Sequence, residues 1–359
     1  MARILYGVHG TGHGHAMRAL ILARAMPWHE FIFVADDDAR RVLAPEFQVE
    51  RLPNLGTVFK NYRVDLGATI KRALPLLLER KRHIRQALYL IERCKPDVCM
   101  VDLEYFVPRA AALAGLPCLT LDHQHILTCC EHRLPPDLLW DAFLQGLTPR
   151  LLFRPTAANI LISFYQAPLR PKFNALVAAP ILRQKTLDLA PENGSHILVY
   201  QSNSTDSRLL ACLKKFPRRQ AHIFGYRDEE RQDGNLHFHK RDENSFNELL
   251  GSCAYVIQGG SHTLMSEALY LGKPILSLPL LAMVEQRLNA LYLERLGYGL
   301  KTSMAQLEPA LLRDFEARLP QFRNNIAGGI FAGNDLVFGL VDKFAATATL
   351  PDFGSLRPQ

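Results

Sequence analysis

Residues 255–278 read YVIQGGSHTLMSEALYLGKPILSL, and the punctuation of that stretch decides the fold. An aromatic and β-branched run at 255–257 ends at Gln258 in the pair Gly259 and Gly260. Ser261, His262 and Thr263 then open a helical spacing that turns Leu264, Met265 and Ala268 inward, and Gly272, Lys273 and Pro274 stop it before a second apolar run at 275–278. Strand, glycine turn, helix and strand make one βαβ unit of a parallel sheet. Paired glycines between a strand and a helix start leave backbone N–H groups and the positive end of a helix dipole for an anion, and a diphosphate suits that layout. Glu267, about one turn into the helix, is placed to accept hydrogen bonds from a ribose diol. Further on, Glu285 and Gln286 offer acceptors and donors for adjacent sugar hydroxyls, with Arg287 and Asn289 beside them.

The same alternation extends outward. Short apolar runs at 4–8, 31–34, 98–101, 118–121 and 160–163 form one series, and a second restarts at 197–200, 221–224, 236–238, 255–257 and 275–278. Two parallel sheets follow, so the fold class is α/β with two Rossmann-like domains. The 359 residues, 48% of them hydrophobic, are enough to bury two cores. Between the series, 167–194 carries Pro168, Pro171, Pro180 and Pro191 with little periodicity and reads as an interdomain connection. The expected division is a first domain over 1–185, a second over 186–320, and a helical segment over 321–359 returning to the first.

No apolar run is long enough and free enough of proline to cross a bilayer, and the chain enters a strand at once, so a soluble, cytoplasmic protein is expected. Seven cysteines, at 94, 99, 118, 129, 130, 212 and 253, lack the paired short spacings of zinc or redox motifs and read as reduced thiols. Forty-two Lys and Arg against 35 Asp and Glu give net +7, which favours anionic partners. The basic residues are dispersed without interleaved aromatics, which disfavours nucleic acid. No acidic or His/Cys cluster with ligand spacing accompanies the glycine loop, so no metal and no cofactor is expected. Asp36, Asp37 and Asp38 precede a helix start and read as helix capping.

A second glycine-rich turn follows the first strand directly, where 7–18 reads GVHGTGHGHAMR. Gly10, Gly12 and Gly14 permit a tight turn and close backbone approach, with Gly12 and Gly14 suited to a sugar or phosphate. The turn lacks the G-x-G-x-x-G spacing with an acidic partner some twenty residues on that marks a dinucleotide site. His13 and His15 add chemistry, because a neutral imidazole can take a hydroxyl proton near neutral pH.

Taken in this order, the motifs resemble the GT-B glycosyltransferases, a group that includes UDP-glucuronosyltransferases, plant and antibiotic glycosyltransferases, and the bacterial enzyme that adds N-acetylglucosamine to lipid-linked peptidoglycan precursor. The likeness is strongest over 255–299, and 12–18 is closer to an uncharacterised bacterial and archaeal branch. The resemblance implies two Rossmann-like domains facing a cleft and metal-independent, inverting transfer from a nucleotide-sugar co-substrate, with a UDP-sugar favoured. It implies that His15 acts as general base and that Asp102 orients it. Gly259, Gly260, Ser261, His262 and Thr263 correspond to the diphosphate loop, Glu267 to the ribose contact, Glu285 and Gln286 to the sugar contacts, and Ser202 and Asn203 to the polar loop opening the donor domain. Gln258 departs from the pattern, standing where many relatives carry histidine.

On the acceptor side, His13, Arg18, His123, Gln124 and His125 are candidate contacts; 122–125 follows a strand whose C-terminal end should face the cleft. Residues 69–94 combine an apolar face with Lys71, Arg72, Arg80, Lys81, Arg82, Arg85 and Arg93. That pattern fits an ordinary outer helix, and equally a peripheral contact with the inner face of an anionic membrane presenting a lipid or cell-envelope acceptor. A nucleotide-sugar hydrolase, an epimerase of the same architecture and a non-catalytic nucleotide-sugar-binding protein are the competing readings.

Overall fold

The computed structural model describes residues 1–354 apart from 57, 61, 62, 65, 154, 201–206, 227, 228, 281 and 282. The chain divides into two units, Met1–Ile181 with Gly333–Gln359, and Leu182–Ala332.

The first unit contains β1 (Arg3–Val8), β2 (Glu30–Val34), β3 (Gln48–Glu50), a two-stranded hairpin of β4 (Phe59–Lys60) and β5 (Arg63–Val64), then β6 (Val98–Asp102), β7 (Cys118–Asp122), β8 (Ala158–Ile162) and β9 (Ala175–Ala178). Apart from the hairpin these form one sheet in the order β3-β2-β1-β6-β7-β8-β9. Every pairing in it is parallel. Its helices are α1 (His13–Ala25), α2 (Asp37–Leu43), α3 (Leu66–Leu78), α4 (Arg80–Cys94), α5 (Val107–Leu113), α6 (Ile126–Cys129) and α7 (Pro136–Leu151). Near-continuous apolar strands follow from burial of both sheet faces. Ile4, Tyr6 and Val8 of β1 pack on one side with α1, while Leu5 packs on the other with Ala87, Leu90 and Ile91 of α4.

The second unit contains β10 (Ile197–Tyr200), β11 (Ala221–Phe224), β12 (Arg231–Asp233), β13 (Leu236–His239), β14 (Tyr255–Gln258), β15 (Ile275–Ser277) and β16 (Gly299–Lys301), in the order β12-β13-β11-β10-β14-β15-β16. Only β12 runs antiparallel, against β13. Its helices are α8 (Gln184–Leu187), α9 (Ser207–Lys214), α10 (Glu243–Ser252), α11 (His262–Tyr270), α12 (Val284–Arg295), α13 (Pro309–Ala317) and α14 (Leu319–Ala327). A last helix, α15 (Asn334–Thr347), packs Val337, Val341 and Phe344 into the core of the first unit.

Each sheet has seven strands where the sequence patterns suggest five. Four strands are additional, β3 and β9 in the first sheet and β12 and β16 in the second, all at sheet edges; β3, β12 and β16 are three residues long, too short to show apolar alternation, and β9 lies inside the proline-bearing stretch 167–194 that reads as a connection. The crossing between units falls at Ile181 and Leu182, four residues before 185. The return falls at Gly333 rather than 321, because Leu319 and Phe322 of α14 are buried in the second core. Lys273 of the Gly-Lys-Pro stop is fully buried, its ammonium donating to the carbonyls of Glu192 and Cys253, which makes it a tether between segments. All seven cysteines are buried, unbridged thiols. Among the described residues no helix is long and apolar enough to cross a membrane.

Within each sheet the strand order reverses once, beside β1 in the first and beside β10 in the second, and ligands of open α/β sheets bind beyond the strand C-termini at such points. Both glycine-rich motifs sit there. The turn at 9–14 leaves β1 next to β6, and Gly259 to Ser261 leave β14 next to β10.

Candidate active site

Strand register assembles the polar cluster of the first unit. Val8 of β1 lies opposite Asp102 of β6, so the turn after β1 passes over the end of β6, and His9 N donates to Asp102 O at 2.9 Å. Gly10 is required by crowding, since a Cβ there would stand 2.3 Å from Asn54 Nδ2 and 2.9 Å from Asp36 O. Gly12 precedes α1 with φ 97°, in the left-handed region where a side chain is strained. Helix α1 then begins at His13, which is exposed, and its third residue, His15, turns inward to 8% exposure.

His15 Nδ1 donates to Asp102 Oδ1 at 2.7 Å, and Asp102 is fully buried. Burial alone would raise the Asp102 carboxyl, but Arg18 and then His15 outweigh it and hold it down at about 2. An ionised carboxylate only accepts, so the proton of the neutral ring sits on Nδ1 and Nε2 carries the lone pair. Gln124 Nε2 lies 3.4 Å from that Nε2, so of the candidate acceptor contacts after β7 it is Gln124 that reaches the imidazole.

Arg18 does not reach out as an acceptor contact. It is 6% exposed and spends its fork on Asp102 Oδ2, Nε at 2.9 Å and Nη2 at 2.7 Å. His125 is likewise turned inward, because its backbone N–H and its Nδ1 both bond the Asp122 carboxylate and its Nε2 donates to Phe153 O. Burial opposes charge on that ring, but Asp122 outweighs it and raises the pKa. His123 is 1% exposed and donates from Nδ1 to Ile162 O at 2.8 Å. The acidic triplet opens α2, where Asp36 pairs with Arg51, Asp37 with Arg72 and Asp38 with Arg41; the Asp36 side chain makes no capping bond.

His9, quoted in the motif but given no role, is a buried neighbour of the site. Its Nδ1 donates to Leu103 O at 3.0 Å, Thr11 Oγ1 donates to its Nε2 at 2.9 Å, and its ring centroid is 5.1 Å from that of His15. Leu103 reaches that position with φ 48°, a left-handed conformation that costs a non-glycine residue about 1 kcal/mol. Burial first, then the proximity of His15, pushes the His9 pKa down to about 3. A histidine depressed in the folded state binds fewer protons there than in the unfolded chain. Its stabilising contribution is therefore complete above the ordinary value near 6.5 and is lost as pH falls below it. Between pH 7 and 5 the wild type is expected to lose about 2 kcal/mol more stability in urea titrations than His9→Gln. Equal losses would show that His9 is not held neutral.

In the second unit, Gln258 is fully buried and its Oε1 accepts from Gly260 N at 2.8 Å and Ser261 N at 2.9 Å. Those two amides are thus committed inside the loop, and the sequence-based picture of free amides at Gly260 and Ser261 gives way to one in which Gln258 sets the loop shape. Helix α11 starts at His262 directly after this loop, so the positive end of its dipole still lies at the end of β14. Gly260, φ 110°, is pressed against Gln286, whose Cβ would lie 2.8 Å from an added Cβ. Asn289 Nδ2 donates to Gly260 O at 3.2 Å, and Gln286 Oε1 accepts from Leu280 N at 3.1 Å. Glu285 stands in the first turn of α12. Gly14 lies in the first turn of α1, and Ser202 and Asn203 lie outside the described residues.

Glu267 is buried on α11 and held by Arg183, Nε to Oε1 at 2.7 Å and Nη2 to Oε2 at 2.8 Å. Arg183 also donates to Glu243 at 2.8 Å and to Asn247 at 3.0 Å. Nothing in the spacing of residues 183 and 267 announces this pair, which exists only once α8 and α11 are packed together.

A model described as glycosyl transferase family 1 matches residues 2–320. An uncharacterized glycosyltransferase of Methanosarcina mazei is 26% identical over 340 residues, 83% of this chain and 84% of that one. Phytolacca americana UGT2, solved with UDP-2-fluoro-glucose and pterostilbene, superposes with TM-score 0.66 at 15% identity, covering 96% of this chain and 99% of that one. The glycosyltransferase SsfS6 of Streptomyces sp. SF2575, solved with thymidine diphosphate, gives TM-score 0.58 at 17% identity, covering 96% and 100%.

Proposed function

The chain belongs to glycosyl transferase family 1 and has the GT-B architecture of two Rossmann-like domains, and from that premise we propose that it moves a sugar from a nucleoside diphosphate donor to an acceptor hydroxyl by metal-independent single displacement. The observation that carries the reading is the buried His15–Asp102 pair at 2.7 Å, at the end of β1 and β6. The acceptor O–H gives its proton to His15 Nε2 as the oxygen attacks the anomeric carbon. The bond from that carbon to the diphosphate oxygen breaks, the nucleoside diphosphate leaves, and the anomeric configuration inverts. Amides of the first turn of α11 and its dipole offset the charge on the leaving group.

The donor is proposed to be a UDP-sugar. The nucleotide of UGT2 and the thymidine diphosphate of SsfS6 belong to those proteins, and they set the panel to be tried. A lipid or cell-envelope acceptor is proposed from the surface of α3, where Ile70, Leu74 and Leu78 are exposed at helical spacing just before exposed Arg80, Lys81, Arg82 and Arg85. The test is nucleoside diphosphate release from a panel of UDP- and TDP-sugars, with and without a membrane-lipid extract, and with excess EDTA. Release that depends on the extract and survives EDTA is expected. Release that needs only water would make the protein a hydrolase, and restoration only by added magnesium or manganese would sink the metal-free mechanism.

A further inference from the structure

We propose that Arg18 is the positioning residue of the His15–Asp102 pair, aiming one carboxylate oxygen at the imidazole and, by its charge beside Nδ1, setting the pH at which His15 becomes able to accept a proton. The proposal rests on the reading of His15 as base. Arg18 follows His15 by three residues on α1, so both side chains leave the same helix face and meet the end of β6. The division of labour at Asp102 is sharp: both Arg18 donors fall on Oδ2, and Oδ1 is left to His15. A planar guanidinium held this way fixes the carboxylate plane as well as its charge.

The guanidinium Nη2 also stands 3.4 Å from His15 Nδ1. With neutral His15 the cluster contains one buried cation and one buried anion, Arg18 and Asp102, each under 10% exposed. Protonating the imidazole would set a second cation against the first in a poorly solvated site. An aspartate alone would favour the imidazolium; the arginine beside it opposes it. The other titratable groups facing the cluster are Tyr6 of β1, His9 in the turn after it, Asp122 at the end of β7, His125 just beyond and Arg72 of α3, and none of them bonds Asp102 in the way Arg18 does. A buried ion pair is weak evidence for a role in stability, since an apolar pair of the same shape serves folding as well.

The test follows the carbethoxylation rate of His15 by diethyl pyrocarbonate against pH in the full chain, by peptide mass spectrometry, since only the neutral ring reacts. Arg18→Gln is expected to move the acid limb to higher pH by about one unit, and to lower turnover about tenfold or more through the loosened carboxylate. Arg18→Lys keeps the charge and loses the fork, so its acid limb is expected to stay within about 0.3 unit of the wild type while turnover still falls. Coincident acid limbs in wild type and Arg18→Gln would overturn the proposal. If Arg18→Gln does not fold, a shift of about a full unit in Arg18→Lys would overturn it equally. Failure of the base reading is seen separately, as full turnover in His15→Ala, whereas the carbethoxylation profile reports on Arg18 whatever the turnover.

Discussion

Replacing His15 by alanine is expected to lower turnover by about 100-fold to 10,000-fold while leaving the affinity for a nucleoside diphosphate nearly unchanged. The reason is that proton removal from the acceptor is needed in the transition state and not for binding the donor. Asp102→Asn should cost less in the same rate, because the imidazole remains and only its orienting carboxylate loses charge. The surroundings of Asp102 add a consequence that the dyad alone does not suggest. Arg18, 6% exposed, would then face a neutral amide, and a buried charge deprived of its partner destabilises by about 3 to 5 kcal/mol. Turnover of Asp102→Asn must therefore be compared at a temperature where its melting curve shows it folded. Under that condition the double variant should be little worse than His15→Ala, since both changes disable one unit. Independent, multiplying losses, or normal turnover by His15→Ala, would reduce His15 to a part of the glycine turn.

Legibility in the sequence followed the length scale of the physics. Strands buried on both faces, such as LYGV in β1 or YVI in β14, are written as unbroken apolar runs, and the glycine turns that follow them are local, so the two sheets and the two motif positions were readable from sequence. Edge strands such as Gln48–Glu50 and Arg231–Asp233 were not, because their stability comes from pairing with a neighbour rather than from their own side chains. The functional residues divide in the same way. His15 and Asp102 stand out by their places after β1 and at the end of β6. By contrast, the roles of Arg18, His125 and Gln258 depend on what their side chains meet at distances of about 3 Å, and that is set by packing. Arg18 and His125 look like acceptor ligands in sequence because they are polar residues beside a glycine turn and a strand end. The fold turns them inward, where Asp102 and Asp122 would otherwise be buried and poorly paired.

Glu267 is the position where the sequence-based expectation needs the largest revision, and where the donor half of the mechanism is most exposed to test. From sequence, Glu267→Ala should weaken donor binding with little harm to folding. The structure makes that substitution ambiguous, since Glu267 is 2% exposed and binds Arg183 through both oxygens. Truncating it would strand Arg183 on Glu243 and Asn247 alone and lower stability as well. The informative variant is Glu267→Gln, which keeps the volume and one acceptor oxygen. Each carboxylate oxygen has a second lone pair beyond the one Arg183 occupies, so the ion pair leaves capacity for a ribose diol and fixes the direction in which it is offered. Glu267→Gln is expected to weaken UDP binding by about 1.5 to 3 kcal/mol, roughly 10-fold to 150-fold, measured at a temperature where its melting curve shows it folded, since its amide replaces one oxygen that Arg183 uses while Glu243 still pairs that guanidinium. Arg183→Lys, which keeps the charge but not the two-point grip, should weaken UDP by a smaller factor, and the double variant should fall short of the sum because both act on one carboxylate. Calorimetry with UDP and TDP reads all three proteins. Unchanged UDP affinity in a well-folded Glu267→Gln protein would remove Glu267 from the ribose and leave its pair with Arg183 as a fastening between α8 and α11.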